Sequence, residues 1–460
     1  TSMFAVTGDR LVDPNRTDSN NTDPTSRVRL LRNALGEDNV SIFRHFATFG
    51  EFATNWKNMI FLNYTHRFEE ASTLPKQNRK YNYPGGSLSF ILSDIFPGIK
   101  QGGVIDYFKL RTSLASTARI NSPYSTQSVF TNTTSSGGGF NYGFTRANPF
   151  LEPEKQKTYE VGTELRLFKN LITFDAAYYN TLNEDQIVDG NFRLSYATGF
   201  VLNSLNVGAT RNQGVEVTLT SNVVKKRDFD WTTTLNFNKM WNKVEYLPEN
   251  VPEYYIADTW VFQNARAGVM RGYPTTTITA YGYLRNNQGQ ILIDKTNGLP
   301  VYDPTFKIRG DRNPDFTIGW VNALRYKNWR LNFVWDLKVG GDIFNATKMF
   351  LTNYGRSPVT ADRYTPRVLE GVLQDGLENT ATPTKNTIVV IPAYQDNYYT
   401  YQYMPEEAFI EKDVNWFRLR DITLSYTFPA KISNVIKGIK NLGFFITGND
   451  LILLTYYSGE

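Results

Sequence analysis

The chain has 460 residues, of which 41% are hydrophobic and 15% aromatic, and it contains no cysteine. Its net charge of +5 is small for this length and is explained by ordinary surface lysines and arginines, so nucleic-acid binding is not indicated. No run of about 18 consecutive apolar residues occurs, which excludes a transmembrane helix but not transmembrane strands, because these alternate in polarity and produce no hydropathy peak.

Alternation of apolar and polar residues predicts a series of long β-strands. In one of them Leu331, Phe333 and Trp335 occupy one face, while Asn332 and Asp336 occupy the other. The period of two extends over about nine to eleven residues, the length of a tilted transmembrane strand, whereas soluble strands average about five or six. In chain order the predicted strands are 2–10, 43–55, 59–67, 83–93, 107–117, 158–168, 171–180, 213–221, 230–240, 316–326, 329–339, 416–428 and 442–449.

The connections between these strands alternate between short and long. Short turns on the periplasmic side and long loops outside are typical of outer-membrane barrels. We therefore predict an all-β fold, a transmembrane antiparallel up-and-down β-barrel. The short connections are 56–58, 94–106, 168–170, 222–229, 326–328 and 429–441, and the long ones are 11–42, 68–82, 118–157, 181–212, 241–315 and 340–415.

A triplet ending in Lys-Asn recurs at the predicted turns. Asn tolerates the left-handed backbone conformation that tight hairpins require. Three of the four triplets begin with an aromatic residue, and a ring beside a cation is favoured at the boundary between water and lipid. The triplets are Trp56-Lys57-Asn58, Phe168-Lys169-Asn170, Tyr326-Lys327-Asn328 and Ile439-Lys440-Asn441.

The predicted strands number thirteen, which is odd, whereas single-chain bacterial barrels close with an even number. A further pair inside a long connection, 275–284 with 290–294, would leave the number odd. No closing strand is predicted after Tyr457-Ser458-Gly459-Glu460. Because unpaired strand edges are not tolerated in lipid, we expect the chain to be an internal or C-terminal part of a larger barrel.

Five segments at strand starts and turns share a pattern with one known family. They are Asn148-Pro149-Phe150-Leu151-Glu152-Pro153-Glu154-Lys155 with Thr158-Tyr159-Glu160-Val161-Gly162, Asn212-Gln213-Gly214-Val215-Glu216, Asn313-Pro314-Asp315-Phe316 with Tyr326-Lys327-Asn328, Trp416-Phe417-Arg418-Leu419-Arg420-Asp421-Ile422-Thr423-Leu424-Ser425-Tyr426, and Gly448-Asn449-Asp450-Leu451 with Thr455-Tyr456-Tyr457-Ser458-Gly459. In this order they resemble the SusC-like TonB-dependent transporters. These motifs are structural and carry no catalytic chemistry.

The resemblance implies a parent barrel of about 22 strands, of which residues 1–460 form part of the barrel domain. In that family an N-terminal plug domain, a TonB box and several early strands precede this region, and none of them is found in the sequence. The resemblance also implies a SusD-like surface lipoprotein as a lid, and the TonB–ExbB–ExbD complex as the energy source through the missing N-terminal part. Substrates in the family are mainly oligosaccharides, with peptides as a second class.

The sequence contains no constellation that indicates catalysis, a metal site or a cofactor. Its two histidines, His45 and His66, lie in predicted strands without partners at the spacing of a metal site or a catalytic triad. We expect structural or interfacial roles for them, and we predict no enzymatic activity.

Charged residues on neighbouring predicted strands would face the lumen of a wide barrel. They are Glu160, Glu164, Arg166 and Asp175. One interpretation is a solute pathway. The other is that any lumen must be polar and that these charges pair with a plug.

Aromatic residues crowd into two of the long connections and are the best candidates for recognition. Such side chains stack on sugar rings or anchor a partner protein at low entropic cost. The alternative is that they pack against one another within the connection. The predicted contact residues are Trp260, Tyr281, Tyr283, Tyr398, Tyr399 and Tyr401, with Tyr254, Tyr255 and Tyr403 close by.

Together these features predict a TonB-dependent importer in the Gram-negative outer membrane that takes up oligosaccharides or peptides. The alternative is a barrel that serves as a scaffold in an outer-membrane protein complex, with transport lost or secondary. A soluble β-rich secreted enzyme or adhesin is a third interpretation, against which the alternation of short and long connections argues.

Overall fold

The computed structural model describes residues 2–6, 40–123, 125–128, 130–132, 140–142, 145–190, 202–249, 251, 253–257, 265–429 and 441–459. Within them, thirteen strands form one antiparallel sheet in which each strand pairs with its neighbours along the chain. They are β1 (Ser2–Val6), β2 (Val40–Trp56), β3 (Ile60–Ala71), β4 (Lys80–Ile91), β5 (Ile105–Arg119), β6 (Glu154–Leu167), β7 (Ile172–Gly190), β8 (Leu202–Lys225), β9 (Phe229–Tyr246), β10 (Phe316–Tyr326), β11 (Trp329–Val339), β12 (Trp416–Thr427) and β13 (Gly443–Thr455).

All thirteen predicted strands are present in the predicted order. The all-β, up-and-down antiparallel fold is therefore confirmed. Within the described residues β1 and β13 form the two edges of the sheet and do not pair with each other, as expected for part of a barrel. A two-residue segment, Thr145–Arg146, adds a short parallel pairing to β8.

Several strands extend further toward the long connections than the sequence predicts. β8 has 24 residues, and β7 continues to Gly190 through a bulge in which Asp185 has a φ of 55°. Polar residues at these strand ends interrupt the alternation, although their backbones still pair. The described connection after β3 consequently spans only 72–79, instead of the predicted 68–82.

The predicted hairpin turns adopt the left-handed backbone that was expected. Lys57 and Asn58 have φ values of 51° and 56°, and Lys169 and Asn170 have values of 57° and 62°. In the third triplet it is Lys327, with a φ of 53°, that takes this conformation. The fourth triplet, 439–441, lies largely outside the described residues.

The paired aromatic and lysine side chains of the turns also meet in space. The Lys57 ammonium lies 4.8 Å from the centre of the Trp56 ring, and that of Lys327 lies 5.5 Å from the centre of the Tyr326 ring. These are cation–π contacts between adjacent residues at the short-turn end of the sheet.

The strand register collects apolar side chains on one face of the sheet. Phe333 of β11 lies opposite Ile422 of β12, and its ring contacts Trp320 of β10 edge-on at 6.1 Å. Trp335, on the same face, lies opposite Trp320. We call this apolar side the outer face and the opposite, polar side the inner face.

The described residues of the two longest connections, 247–315 and 340–415, fold into a region that we call the cap. Its short strands pair within the cap and are separate from the main sheet. The pairs are Glu253–Ala257 with Ala267–Met270, Thr277–Tyr283 with Tyr302–Asp311, Leu292–Ile293 with Val372–Leu373, Ile343–Phe344 with Ile410–Glu411, and Arg367–Val368 with Val389–Val390.

The pairing predicted for 275–284 with 290–294 is wrong. Thr277–Tyr283 pairs with Tyr302–Asp311, whereas Leu292–Ile293 pairs in parallel with Val372–Leu373. The two predicted segments meet only at their adjoining ends: the Leu292 N–H donates to the Leu284 carbonyl at 2.9 Å, and Arg285 forms an isolated bridge with Ile291. The chain between them makes a tight turn, and the longer partner strand lies further along the sequence.

Helices are short and lie in the connections. One α-helix, Ala346–Asn353, belongs to the cap, where the Asn345 side chain accepts a hydrogen bond from the Lys348 backbone at its start. The described residues include no helix with the length and hydrophobicity needed to cross a membrane. The remaining helical segments are Leu92–Ile95, Pro97–Lys100, Pro358–Thr360, Pro392–Tyr394 and Glu406–Phe409, and one further hairpin pairs Phe130–Asn132 with Phe140–Tyr142.

Candidate functional site

The cap is anchored to the ends of the sheet strands by a small apolar core and by backbone hydrogen bonds. Val188 of β7 and Val244 of β9 pack against Leu247 and Val269 of the cap. Backbone bonds also join Val244 to the cap, with its N–H donating to the Tyr273 carbonyl at 2.8 Å. The cap is thus attached at the long-connection end of the sheet.

Two segments of the cap that are far apart in sequence share its apolar cores. Ile278 and Ala280 from the first connection pack with Ile410 from the second, and Phe344 lies against them. Leu299 packs in the same way against Val390 and Tyr398. The candidate residues from the two connections are therefore parts of one structure.

Two of the predicted contact residues, Tyr281 and Tyr401, belong to an aromatic cluster at the cap surface. The Tyr281 ring lies 4.1 Å from Phe306 and 5.6 Å from Tyr302 between ring centres. Tyr302 in turn contacts Tyr401 edge-on at 6.3 Å. Tyr401 is 53% exposed, so this cluster presents a ring to solvent.

Tyr283, also a predicted contact residue, makes a hydrogen bond within the cap: its hydroxyl donates to the Tyr403 carbonyl at 3.2 Å. Burial raises the pKa of the Tyr283 hydroxyl, and the neighbouring Glu407 carboxylate raises it further. The side chain therefore stays protonated as a hydrogen-bond donor across the physiological pH range.

Two other predicted contact residues, Tyr398 and Tyr399, take part in packing within the cap. Tyr398 is buried and its ring lies 4.9 Å from that of Tyr399. Trp260 lies outside the described residues. Contact of any of these side chains with a substrate stays a prediction.

A buried ionic network, which sequence reasoning missed, holds this aromatic cluster in place. Glu407 accepts hydrogen bonds from the Tyr283 backbone N–H at 3.0 Å and from Arg285 at 2.8 Å. Its second ion pair is with Arg309, at 3.0 Å. A Cβ at Gly282 would lie 1.9 Å from Glu407 Oε2, so only glycine allows this approach. The isolated glycine between two tyrosines was the one sequence signal for it.

Asp303 joins the same network from the other strand. Its carboxylate pairs with Lys307 at 2.7 Å and with Arg309 at 3.2 Å, and its side chain is 5% exposed. Burial alone would raise the pKa of Asp303, but hydrogen bonds from Lys307 and Thr305 outweigh that effect and lower it below its ordinary value.

We expect Asp303 to make the cap sensitive to acid. Because its folded-state pKa is lowered, its stabilising contribution is complete above the unfolded pKa of about 3.9 and is lost as the pH falls through the folded value. The melting temperature of the detergent-solubilised protein should therefore fall as the pH is lowered from 5 to below the unfolded pKa of about 3.9. Asp303→Asn should be less stable at neutral pH by about 3 kcal/mol, since it leaves Arg309 in a buried site with one carboxylate partner fewer.

The fall in melting temperature with acid should be smaller in Asp303→Asn than in the wild type. Asp396→Asn serves as the control, because Asp396 is exposed and has no ion pair among the described residues. Equal acid sensitivity in the wild type and in Asp303→Asn would contradict the assignment.

The charged residues predicted to face a lumen do share the inner face of the sheet. Asp175 of β7 lies opposite Glu164 of β6. Glu164 also accepts a hydrogen bond from Arg166 at 2.8 Å, two residues along the same strand. The prediction that these side chains share one polar face is confirmed.

Arg111 of β5 ties these strands together, which sequence reasoning did not anticipate. Its guanidinium donates two hydrogen bonds to the Asp175 carboxylate, at 2.7 and 2.8 Å, and lies 3.7 Å from Glu160. To reach Asp175 it crosses β6 at Gly162, where a Cβ would lie 2.7 Å from its Nε. This bidentate pair joins β5 to β7 across β6 and so stiffens the inner face of the sheet.

The two histidines contact neighbouring side chains. His45 lies 3.2 Å from Glu69, and His66 lies between the Tyr64 hydroxyl and the Asn82 side chain, with its ring stacked on Phe68 at 4.4 Å. In the part of the chain that the structure describes, no three His, Asp or Glu side chains group as metal ligands would.

A cavity of about 690 Å³ opens where β4 and β5 separate. Their pairing ends at Gly85 and Ala115, because Pro84 has no N–H to donate to β5. The Ser116 hydroxyl instead donates to the Pro84 carbonyl at 2.7 Å. Tyr64 and Leu114, which belong to the outer face, line this cavity, so it lies away from the predicted aromatic residues of the cap.

Comparison with known families matches most of the chain. The model of the family described as "TonB dependent receptor-like, beta-barrel" matches residues 4–442. The family resemblance predicted from the five sequence segments is thereby confirmed.

Two curated proteins of Formosa agariphila are similar in sequence. TonB-dependent receptor P3 is 26% identical over 440 residues, which cover 90% of this chain and 41% of that protein. TonB-dependent receptor P26 is 25% identical over 462 residues, which cover 94% of this chain and 43% of that protein. The chain thus spans less than half the length of these relatives.

Solved structures of one transporter share the fold. The structure of the RagAB peptide transporter has a TM-score of 0.69 at 19% identity, with 91% of this chain and 45% of that chain covered. The RagAB peptide importer in its "closed-closed" state has a TM-score of 0.70 at 18% identity over the same shares. At this level of identity the likeness shows the fold.

Proposed function

The chain belongs to the family of TonB-dependent receptor-like β-barrels, and from this premise we propose that it forms part of an importer in the Gram-negative outer membrane. The imported solute is an oligosaccharide or a peptide. The cap receives it from outside, and the inner face of the sheet lines its route inward. The chain itself carries out no catalytic step.

The observation that carries this proposal is the division of the sheet into two faces with the cap at one end. Apolar side chains such as Phe333 and Trp335 suit a lipid environment. The opposite face holds Arg111, Asp175 and their partners, which suit a water-filled lumen. The solvent-exposed ring of Tyr401 stands on the cap, where an arriving solute would meet it.

We further propose that a surface lipoprotein of the SusD type covers the cap, and that the TonB–ExbB–ExbD complex supplies the energy. The likeness in fold to the RagAB peptide transporter supports import as the activity in which such a lipoprotein would take part. Membership of the TonB-dependent receptor-like family supports the coupling to TonB, which would act through a part of the protein outside residues 1–460.

The test is to isolate the protein from native outer membranes in mild detergent and to identify by mass spectrometry what accompanies it. We expect a surface lipoprotein and a bound oligosaccharide or peptide. Uptake of that same solute by cells should stop when TonB is inactivated, because import against a gradient requires energy transfer. An unrelated outer-membrane barrel isolated in parallel controls for carry-over.

Recovery with other envelope proteins and no solute would favour the scaffold function instead. Uptake that continues without TonB would contradict energised import even if a solute is recovered.

A further inference from the structure

A second cavity, of about 410 Å³, lies between the cap and the inner face of the sheet. Cap residues Arg266 and Phe344 form part of its wall, and Lys338 of β11 closes it from the sheet. Lys338 shares the inner face with Asp336 and Asn332, two and six residues before it on the same strand. The cavity therefore opens on the route between the cap and the inner face, and its volume falls within the range of ligand pockets.

Two of the charges that line the cavity are already compensated by neighbours. Arg266 pairs with Glu253 at 3.4 Å, and its guanidinium lies 3.4 Å from the centre of the Phe306 ring. Asp342 accepts from the Lys412 ammonium at 2.9 Å and from the Asp311 backbone N–H at 2.8 Å. Neither group leaves a net charge in the cavity.

Two further cations have no ion-paired carboxylate of their own, and the Asp342 carboxylate that lies near the Lys338 ammonium is already bonded to Lys412. Lys338 makes no hydrogen bond or ion pair within the part of the chain that the structure describes. Arg312 uses only its Nε there, donating to the Thr276 carbonyl at 3.1 Å, so the two terminal nitrogens of its guanidinium have no partner among these residues. The one carboxylate among the cavity's described lining residues, that of Asp342, is held by Lys412. An excess of two positive charges thus faces the cavity.

The rest of the wall is apolar and includes Ile278, Ile343 and Phe344. Cations in a partly desolvated site attract an anion more strongly than they would in open water. A planar guanidinium with free terminal nitrogens matches a carboxylate in particular. Apolar walls beside it favour a carboxylate attached to an apolar group over a small inorganic anion.

We propose that this cavity binds the carboxylate of the solute, with Arg312 and Lys338 as its ligands. This proposal rests on the proposed import function and names the chemical group that the importer recognises. In a peptide the group is the C-terminal carboxylate, and in an oligosaccharide it is the carboxylate of a uronic acid. The apolar wall receives the side chain or ring face next to that carboxylate.

The test is calorimetric titration of the intact detergent-solubilised protein with matched probes. Acetyl-Ala-Phe with a free carboxylate is compared with its C-terminal amide, and an oligogalacturonate with a neutral oligosaccharide of equal length. We expect one carboxylate probe to bind at least about ten-fold more tightly than its neutral partner, because a charge-assisted pair is lost in the neutral probe. The probe that shows this difference identifies the source of the carboxylate.

Variants then assign the residues. Lys338→Gln and Arg312→Gln should each weaken binding of that carboxylate probe about ten-fold and leave the neutral probe unchanged. Lys338→Arg should retain the preference, which shows that a loss in Lys338→Gln does not come from misfolding. Lys295→Gln, at an exposed lysine of the cap, should behave as the wild type.

Equal binding of charged and neutral probes in the wild type would overturn the proposal. So would a carboxylate preference that survives both glutamine variants. Import is judged separately, by TonB-dependent uptake. If TonB-dependent uptake shows no preference for solutes with a carboxylate, the assignment of this cavity is wrong but import still holds. If the protein binds carboxylate probes selectively but no uptake occurs, import is wrong and the cavity assignment still holds.

Discussion

Gly371→Ala is expected to destabilise the cap by about 3 kcal/mol or more. A Cβ at this position would lie 2.5 Å from the Ile291 carbonyl oxygen, a backbone atom that cannot move without disturbing its own strand. That carbonyl accepts the Val372 N–H at 2.9 Å in the pairing that joins the two connections of the cap. Gly371 also has a φ of 153°, which is unfavourable for a residue with a Cβ.

The measurement is limited trypsin digestion of the detergent-solubilised protein, following cleavage after Arg367 and Lys385 on either side of the pairing. Cleavage at both sites should become much faster in Gly371→Ala, while the strand content of the sheet should remain. Gly376→Ala is the matched control, because Gly376 also has a positive φ, of 96°, but a Cβ there would meet nothing within 4 Å. Gly376→Ala should destabilise the cap only through backbone strain, by about 1 kcal/mol. Equal protection of the wild type and Gly371→Ala would show that the two connections do not depend on this pairing.

Phe333→Arg is expected to impair assembly into the outer membrane and to cost about 2–4 kcal/mol, the range for a basic residue on the lipid face near the centre of a barrel strand. Phe333 lies in the middle of β11, on the apolar face, opposite Ile422 and beside Trp320. A guanidinium there has neither water nor a carboxylate partner, so its desolvation is uncompensated. The readouts are the amount of folded protein in isolated outer membranes and the urea midpoint in lipid vesicles.

Asn332→Arg tests the same substitution one residue away on the same strand. Because successive side chains point to opposite faces, position 332 is on the inner face, where it is exposed. We expect near-normal assembly of Asn332→Arg into the outer membrane and a change in the free energy of unfolding within about 0.5 kcal/mol. Similar losses in both variants would mean that the outer face does not contact lipid.

The strands and their order were predictable because each depends on local information. The alternation in 329–339 places Leu331, Phe333 and Trp335 on one side wherever the strand lies, and Lys57-Asn58 favours a hairpin turn in any context. Consecutive strands joined by short turns must pair as neighbours, so the order of the sheet followed from the order in the sequence. The polar face with Glu160, Glu164 and Asp175 followed from the same period of two.

The ends of the strands were less predictable, because pairing continues where the alternation stops. β8 begins at Leu202 although its apolar pattern begins near residue 213, since backbone hydrogen bonds do not require an apolar side chain. The bulge at Asp185 shifts the register, and no local pattern announced it.

The cap and its sites were decided by the tertiary structure alone. Thr277–Tyr283 has the composition of a strand, but its partner is Tyr302–Asp311 and not the nearer segment that we predicted. Glu407 reaches Arg285 across 122 positions of sequence, and Arg111 reaches Asp175 across 64. The sequence by itself determined the repeating, local features of this protein, its strands, faces and short turns, because period and turn chemistry act between residues a few positions apart. Which charges are paired and which, like Lys338 and Arg312, are left facing a cavity depends on contacts between distant segments, and these exist only once the long connections have folded together.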